Sequence, residues 1–279
     1  LATYIQTENP QVEEVLLDSE LLSEIKTDKI TQKYILNNFC KVLTFLVEEP
    51  EINSSSKRSL NLPFIVSELC CLNIKDIQAK LFSVEKTDIT DQEPSKMPVF
   101  FSKFFEYIAQ TDKAVLIEST LPGYCFKIMK KMIKQNFREF LKVFSIEENY
   151  KSLLKCLEES IYLDSSADVL ILLYANEIET YSDFKFNLTK HFNAFLNIIL
   201  TKVNKDLLNI ANNSNNSTDS EGIVLNISLD FDAIENILKF FMKQMKVLTL
   251  IETDKTVRDL IIIEVLFKQE YLDSLKEQL

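Results

Sequence analysis

Apolar residues recur at intervals of three and four along most of the chain, with polar residues between them. This is the period of an amphipathic α-helix that buries one face. The pattern predicts about ten to thirteen helices joined by short polar segments. They occupy, in chain order, 12–25, 35–46, 62–82, 97–109, 124–141, 147–161, 165–178, 184–210, 234–245, 254–268 and 270–279.

The segment 121–144 carries the clearest pattern of this kind. Pro122 and Gly123 are expected to end the preceding helix and to let the chain reverse into the next one. An apolar stripe then follows at helical spacing: Tyr124, Ile128, Met132, Ile133, Phe137, Phe140 and Leu141. Cations occupy the opposite side of the same helix: Lys127, Lys130, Lys131, Lys134 and Arg138.

Two later segments depart from the helical period. Residues 209–222 are rich in Asn, Ser and acidic residues, which predicts an exposed, flexible polar loop. Residues 223–231 alternate apolar and polar positions, which is typical of a β-strand. An extended lead-in to the next helix, capped by Ser228 or Asp230, is the preferred alternative because no second such segment is available to pair with it.

Amphipathic helices with short connections must bury their apolar faces against one another. Stacked helix pairs of the HEAT or armadillo kind achieve this, so the predicted fold is an all-α, HEAT/armadillo-like helical-repeat solenoid. We expect a single solenoid domain over 1–279, with C-terminal helical repeats over 223–279. Only two glycines occur in 279 residues, where about twenty would be usual.

Composition limits the classes of partner and the cellular compartments that are expected for this protein. The net charge of −11 argues against nucleic acid as a partner, and no apolar run is long enough to cross a bilayer. The odd number of cysteines, without a Cys-x-x-Cys pair, is typical of reduced thiols in a cytoplasmic or nuclear protein.

Catalytic chemistry is difficult to assemble from these residues. His191 is the sole histidine and lies in an ordinary amphipathic helical pattern, where a partly exposed structural role is the expected one. Zinc and two-metal hydrolytic centres use clustered histidines and cysteines. We therefore predict a non-enzymatic protein without a metal or cofactor. The basic stripe is either an ordinary solvated helix face or a docking surface for an acidic partner.

Two segments resemble the SAPS family of Sit4-associated proteins. "LPFIVSELCCLNIKDIQAKLF" (62–82) is similar to that family's "YPYVASEILCCE" helix, and "LPGYCFKIMKK" (121–131) is similar to its "LAGYFSKV" segment. A third similarity follows in "ENYKSLLKCLEESIYLDSSADVLILLY", where Ser165, Ser166, Ala167 and Asp168 lie near the position of the family's Thr-Ser-Ala-Ile-Met-Asp pattern. The order and spacing of the similar segments agree over 10–174.

The resemblance implies a regulatory or scaffold subunit. Members of the family bind the catalytic subunit of a Sit4-type (protein phosphatase 6-type) serine/threonine phosphatase and direct its substrate targeting, in some cases with a further scaffold subunit. The candidate partner-binding residues are Gly123, Tyr124, Lys127, Lys130, Lys131, Lys134, Arg138, Ser165, Ser166 and Asp168. The alternative is a HEAT-like adaptor, unrelated to phosphatases, that acts in transport or in a large assembly.

Overall fold

The structure is a computed structural model that describes residues 1–8, 10–48, 61–84, 97–175, 182–212 and 229–240. Within these ranges the regular elements are α-helices and no β-strand occurs, which confirms the predicted all-α class. The predicted helices at 254–268 and 270–279 lie outside the described residues. The chain divides into two compact units, Leu1–Ser160 and Ile161–Leu279. We call them unit 1 and unit 2.

Unit 1 contains eleven helices within its described residues. They are α1 (Ala2–Glu8), α2 (Val12–Leu16), α3 (Leu21–Glu24), α4 (Lys29–Asn37), α5 (Phe39–Thr44), α6 (Leu62–Cys71), α7 (Lys75–Leu81), α8 (Val99–Gln110), α9 (Lys113–Glu118), α10 (Leu121–Phe144) and α11 (Glu147–Ser160). Unit 2 contains α12 (Asp164–Ala175) and α13 (Ser182–Asn212), and residues 229–240 are also helical.

Several predicted boundaries are wrong. The predicted helix over 12–25 is divided into α2 and α3, and the one over 35–46 runs from the end of α4 through α5. The predicted helix over 62–82 is divided into α6 and α7, because the backbone is extended at Leu72 and Ile74. The predicted loop over 209–222 begins too early, since α13 continues to Asn212; residues 213–222 lie outside the described residues. Asp230 lies inside a helix, so it is not that helix's cap, and residues 223–228 lie outside the described ranges.

Helix contacts in unit 1 follow two series. In one series α5 packs on α8 and α8 packs on α11; in the other, α2 and α3 pack on α6 and α6 packs on α10. The two series meet where α10 contacts α11. Further contacts join α4 with α5 and α7, and α6 with α7. Several helices therefore contact a helix that is distant in sequence as well as an immediate neighbour.

The core of unit 1 is aromatic where α8 and α10 meet. Phe101 is fully buried, and its ring centroid lies 5.0 Å from that of Phe144 and 5.8 Å from that of Phe140, both in edge-on geometry. Phe104 and Phe126 form another edge-on pair with centroids 4.9 Å apart. Edge-on pairs of this kind add stabilisation beyond the burial of apolar area.

Buried amide side chains satisfy the carbonyl groups at helix ends in unit 1. Gln32 of α4 donates from Nε2 to the carbonyl of Ile25 at the end of α3, at 2.6 Å. Asn149 of α11 donates from Nδ2 to the carbonyl of Val143 in the last turn of α10, at 3.0 Å. Each amide thus belongs to the helix that follows the one whose end it bonds, and fixes the junction between them.

The same arrangement joins α6 to α7. Gln78 is 6% exposed and donates from Nε2 to the carbonyls of Cys70, at 2.8 Å, and Leu72, at 2.9 Å. Helices commonly end with a glycine that lets the chain turn and bond these carbonyls. No described helix in this chain is followed by a glycine at its C-terminus. Side-chain amides supply part of that bonding instead, which accounts for a fold with so little glycine.

Unit 2 combines an apolar core with buried polar contacts. Phe192 and Phe240 are fully buried, with ring centroids 6.2 Å apart. Asp230 is buried and forms an ion pair with Lys202 of α13, with 2.5 Å between Oδ2 and Nζ. The buried Asn236 donates from Nδ2 to the carbonyl of Ile161 at 2.9 Å. The helical segment 229–240 is thereby bonded to Ile161, which precedes α12, and to α13.

Candidate partner-binding surface

The long helix α10 separates apolar and basic positions as the sequence predicts. Every residue of the predicted apolar stripe is buried except Tyr124, which is half-buried. Lys127, Lys134 and Arg138 are exposed on the other side, whereas Lys130 and Lys131 are half-buried. The structure therefore brings five predicted cations together along one helix.

The turn predicted at Pro122 and Gly123 is wrong. Both residues lie in the first turn of α10, which begins at Leu121, and the reversal of the chain is made by Ser119 and Thr120 after α9. Pro122 suits this position because the first turn of a helix leaves its N–H groups without helical partners. Gly123 is exposed, and an added Cβ there would meet no atom within 4 Å. The position therefore does not require glycine.

Helix α6 packs beside the basic side of α10 and contributes further exposed residues there. The ring of Phe64, 45% exposed, packs edge-on against Tyr124 with centroids 6.2 Å apart. One turn further along, Glu68 forms an ion pair with Lys127. We call this region, formed by Phe64, Glu68 and Cys71 with Tyr124, Lys127, Lys131, Lys134 and Arg138, the α6–α10 surface.

Sequence reasoning missed both contributions of α6. Phe64 lies off the buried face of its helix, and its neighbour Tyr124 belongs to a helix some sixty residues later. The available signal was a large aromatic residue that the apolar periodicity of 62–71 does not require. The second contribution is Glu68. Its ion pair neutralises part of the charge of Lys127.

Two cations at the far end of the surface, Lys134 and Arg138, differ from Lys127 in their ion pairing. Among the described residues, neither Lys134 nor Arg138 has a carboxylate within ion-pair distance. Burial raises the pKa of the Cys71 thiol, although Lys127 and Lys131 act in the opposite direction. Cys71 therefore stays neutral at physiological pH, and the lysines remain the charged groups of this region.

The three predicted residues of α12 belong to unit 2. Ser165 is half-buried and Asp168 is exposed at the surface of that helix. Ser166 is fully buried, so its side chain is not part of the accessible surface of the folded unit. Asp168 is thus the most accessible of the three for contact with another protein.

The remaining candidate chemistry is structural. His191 is half-buried on α13 beside Phe192, as expected for a helical histidine. All five cysteines are thiols, and burial raises the pKa of Cys70, Cys125 and Cys156 well above the ordinary thiol range. In the part of the chain that the structure describes, no group of His, Cys, Asp and Glu side chains is arranged to hold a metal ion.

The α6–α10 surface offers electrostatic attraction and an aromatic contact, both of which serve binding to another molecule.

Among the described residues, none of the helices has the length and apolar character required to cross a membrane. Comparisons of the chain with models of protein families, with curated proteins and with solved structures find no match.

Proposed function

We propose that this protein is a regulatory or scaffold subunit that binds the catalytic subunit of a Sit4-type (protein phosphatase 6-type) serine/threonine phosphatase and directs its substrate targeting. The observation that carries the proposal is the α6–α10 surface, which joins two of the three segments that resemble the SAPS family in one exposed region. The residues of these segments are distant in sequence and adjacent in the fold. A surface assembled in this way suits a shared binding role.

We propose further that the helices of unit 1 form a HEAT- or armadillo-like solenoid. In such an array each helix packs on its sequence neighbour and on the equivalent helix of the next repeat. The two series of contacts, α5 with α8 and α11, and α3 with α6 and α10, support this arrangement. A rigid array of this kind holds a large binding surface in a fixed shape, so little ordering is required on association.

Charge gives the α6–α10 surface its selectivity. On a chain of net charge −11, most of the surface attracts basic proteins, whereas a cluster of cations repels them and attracts acidic proteins. Opposite charges across an interface mainly raise the association rate and set the orientation. Phe64 and Tyr124 add apolar area at one end of the surface. The partner face is therefore expected to be acidic with an apolar contact point.

The test is complex formation with the Sit4-type catalytic subunit of the same organism, measured by size-exclusion chromatography with light scattering. We expect a 1:1 complex. The variant carrying Lys127→Glu, Lys131→Glu and Lys134→Glu is expected to weaken it at least about tenfold, since several attractive pairs become repulsive. A matched control reverses three exposed lysines elsewhere in unit 1, Lys142→Glu, Lys151→Glu and Lys155→Glu, which changes the net charge equally.

The possible outcomes test the phosphatase-binding role and the α6–α10 surface separately. A complex that both variants weaken equally reflects net charge alone and removes the α6–α10 surface from the proposal. Two separate peaks at tens of micromolar would overturn the phosphatase role and favour an adaptor for a different assembly. Circular dichroism of each variant must match the unmodified chain, so that loss of binding is not loss of folding.

A further inference from the structure

A polar cleft opens between α7 and α10, next to the α6–α10 surface. Its volume is about 620 Å³, and it is lined by Asn73, Lys75, Gln78, Ala79, Phe82, Gln135, Asn136 and Glu139. It forms where α10 bends, because Asn136 has non-helical torsion angles (φ −133°, ψ 42°). Four of the eight lining side chains are primary amides, which is a high share for one cleft.

Among the described residues, two of these amides form hydrogen bonds and two do not. Gln78 is buried, and both carbonyls that its Nε2 reaches belong to the end of α6. Its Oε1 accepts from Nδ2 of Asn136 at 3.4 Å, which holds Asn136 at the wall of the cleft. Gln78 is therefore a positioning residue. Asn73 and Gln135 are exposed, and their amides form no hydrogen bond among the described residues.

The two charged residues that line the cleft, Lys75 and Glu139, differ in whether they have an ion-pair partner. Glu139 is compensated by Lys142, with 2.7 Å between Oε1 and Nζ. Lys75 is exposed and has no carboxylate within ion-pair distance in the described part of the chain. Arg138 follows directly on α10 and is likewise exposed. An acidic ligand is therefore favoured over a basic one.

We propose that the α7–α10 cleft binds an extended, acidic peptide segment of a partner protein, with Asn73, Gln135 and Asn136 hydrogen-bonded to its main chain. A primary amide carries a donor pair and an acceptor, which is the complement of a peptide bond. Phe82 provides an apolar wall, and Ala79 leaves room for the peptide to approach the helix. Lys75 pairs with an acidic side chain of the segment.

The shape of the cleft favours a peptide over a compact small molecule. Small-ligand pockets of roughly 300–1,000 Å³ enclose most of the ligand and are mainly apolar. This cleft has a suitable volume, but four of its eight lining residues are exposed and polar. A peptide can cross such a cleft and extend beyond both ends. The inference does not depend on the partner being a phosphatase, so it stands or falls separately from the proposed function.

The experiment uses the full chain as the target for a phage-displayed library of random dodecapeptides. Selected peptides are synthesised with a fluorescent label, and their Kd is measured by fluorescence anisotropy. We expect acidic sequences to be enriched. Lys75→Glu and Gln135→Ala are each expected to raise the Kd about tenfold, because a charge pair becomes repulsive and a main-chain contact is lost.

Matched controls make the result specific to the cleft. Lys80→Glu lies on the same helix as Lys75, and Gln110→Ala replaces an exposed glutamine of α8; neither lines the cleft. Both should leave the Kd within about twofold of the unmodified chain. N-methylation of the central amides of the peptide, which removes main-chain donors without changing side chains, should weaken binding about tenfold.

Three results would overturn the proposal. The first is a selection that enriches no acidic peptide. The second is a set of peptides whose binding is lost with Lys127→Glu and Lys134→Glu but kept with Lys75→Glu, which would assign them to the α6–α10 surface. The third is binding that tolerates N-methylation, since recognition would then not involve the main chain.

Discussion

The aromatic core between α8 and α10 and the helix junctions of unit 1 are stabilised in different ways. In the core, Phe101 is surrounded by other rings, and many similar contacts share the stabilisation. At the junctions, one buried amide such as Gln32 or Gln78 satisfies specific carbonyls. The core depends on apolar volume, whereas each junction depends on a single residue with the correct donor in the correct place.

This difference affects how the two regions tolerate change. Apolar side chains of similar volume can replace one another in a core at modest cost. A buried carbonyl that loses its donor keeps the full cost of its desolvation. Substitutions of large effect in the core therefore remove volume, while those in the junctions can preserve volume and remove only a hydrogen bond.

The largest expected effect is that of Phe101→Ala in the core. Removal of a fully buried ring should lower the free energy of unfolding by about 3–5 kcal/mol. Urea denaturation followed by circular dichroism at 222 nm measures the change. Phe64→Ala is the matched control: its ring is 45% exposed, and the expected loss is below about 1 kcal/mol. Equal losses for the two variants would contradict the assignment of the core.

Next is Gln78→Met, which keeps the volume of the side chain and removes its donors. The carbonyls of Cys70 and Leu72 would lose their partner, so the free energy of unfolding should fall by about 1–3 kcal/mol. Gln135→Met, on the exposed side of α10, should change it by less than about 0.5 kcal/mol. A neutral Gln78→Met variant would show that the junction is held by packing alone.

A smaller effect, dependent on pH, is expected at the start of α4. Hydrogen bonding from Thr31 lowers the pKa of Asp28, whose Oδ2 lies 2.6 Å from the Thr31 backbone nitrogen. Because the folded pKa is the lower one, the stabilisation is present above the unfolded pKa of about 3.9 and is lost as pH falls through the folded value. Asp28→Ala should cost about 1 kcal/mol at pH 7.

The pH series supplies the check on Asp28. The cost of Asp28→Ala should shrink when urea denaturation is repeated between pH 5 and pH 3, because protonation removes the charged acceptor from the native chain. Asp28→Asn keeps a capping oxygen and serves as the control, with a smaller cost at pH 7. A cost of Asp28→Ala that is constant across this pH range would exclude the charged cap.

The smallest effect is expected at Gly123, and it is stabilising. Ala has a higher helix propensity than Gly, and a Cβ at this position meets no neighbour. Gly123→Ala should raise the free energy of unfolding by about 0.5–1 kcal/mol. Thermal denaturation should give a Tm higher by about 1–3 °C. A lower Tm would mean that the first turn of α10 needs the freedom of glycine after all.

The sequence predicted the cations of the candidate surface but not the residues that α6 contributes to it. The cations of α10 follow from one helical period, so their shared face was predictable. The pairing of Phe64 with Tyr124 and of Glu68 with Lys127 was not, because it joins helices that are distant along the chain. The cleft depends on the bend at Asn136, and the helical pattern of the surrounding sequence does not predict a bend there.

The sequence by itself determined the helical class and most buried positions, because amphipathic periodicity is local and recurs in nearly every helix. Only the tertiary structure decided which polar residues are buried. Gln32, Gln78 and Asn149 look like surface residues in a linear pattern, yet each bonds a carbonyl at the end of the preceding helix. The physical reason is that apolar burial depends on spacing along one helix, whereas a hydrogen bond requires two groups brought together by the fold.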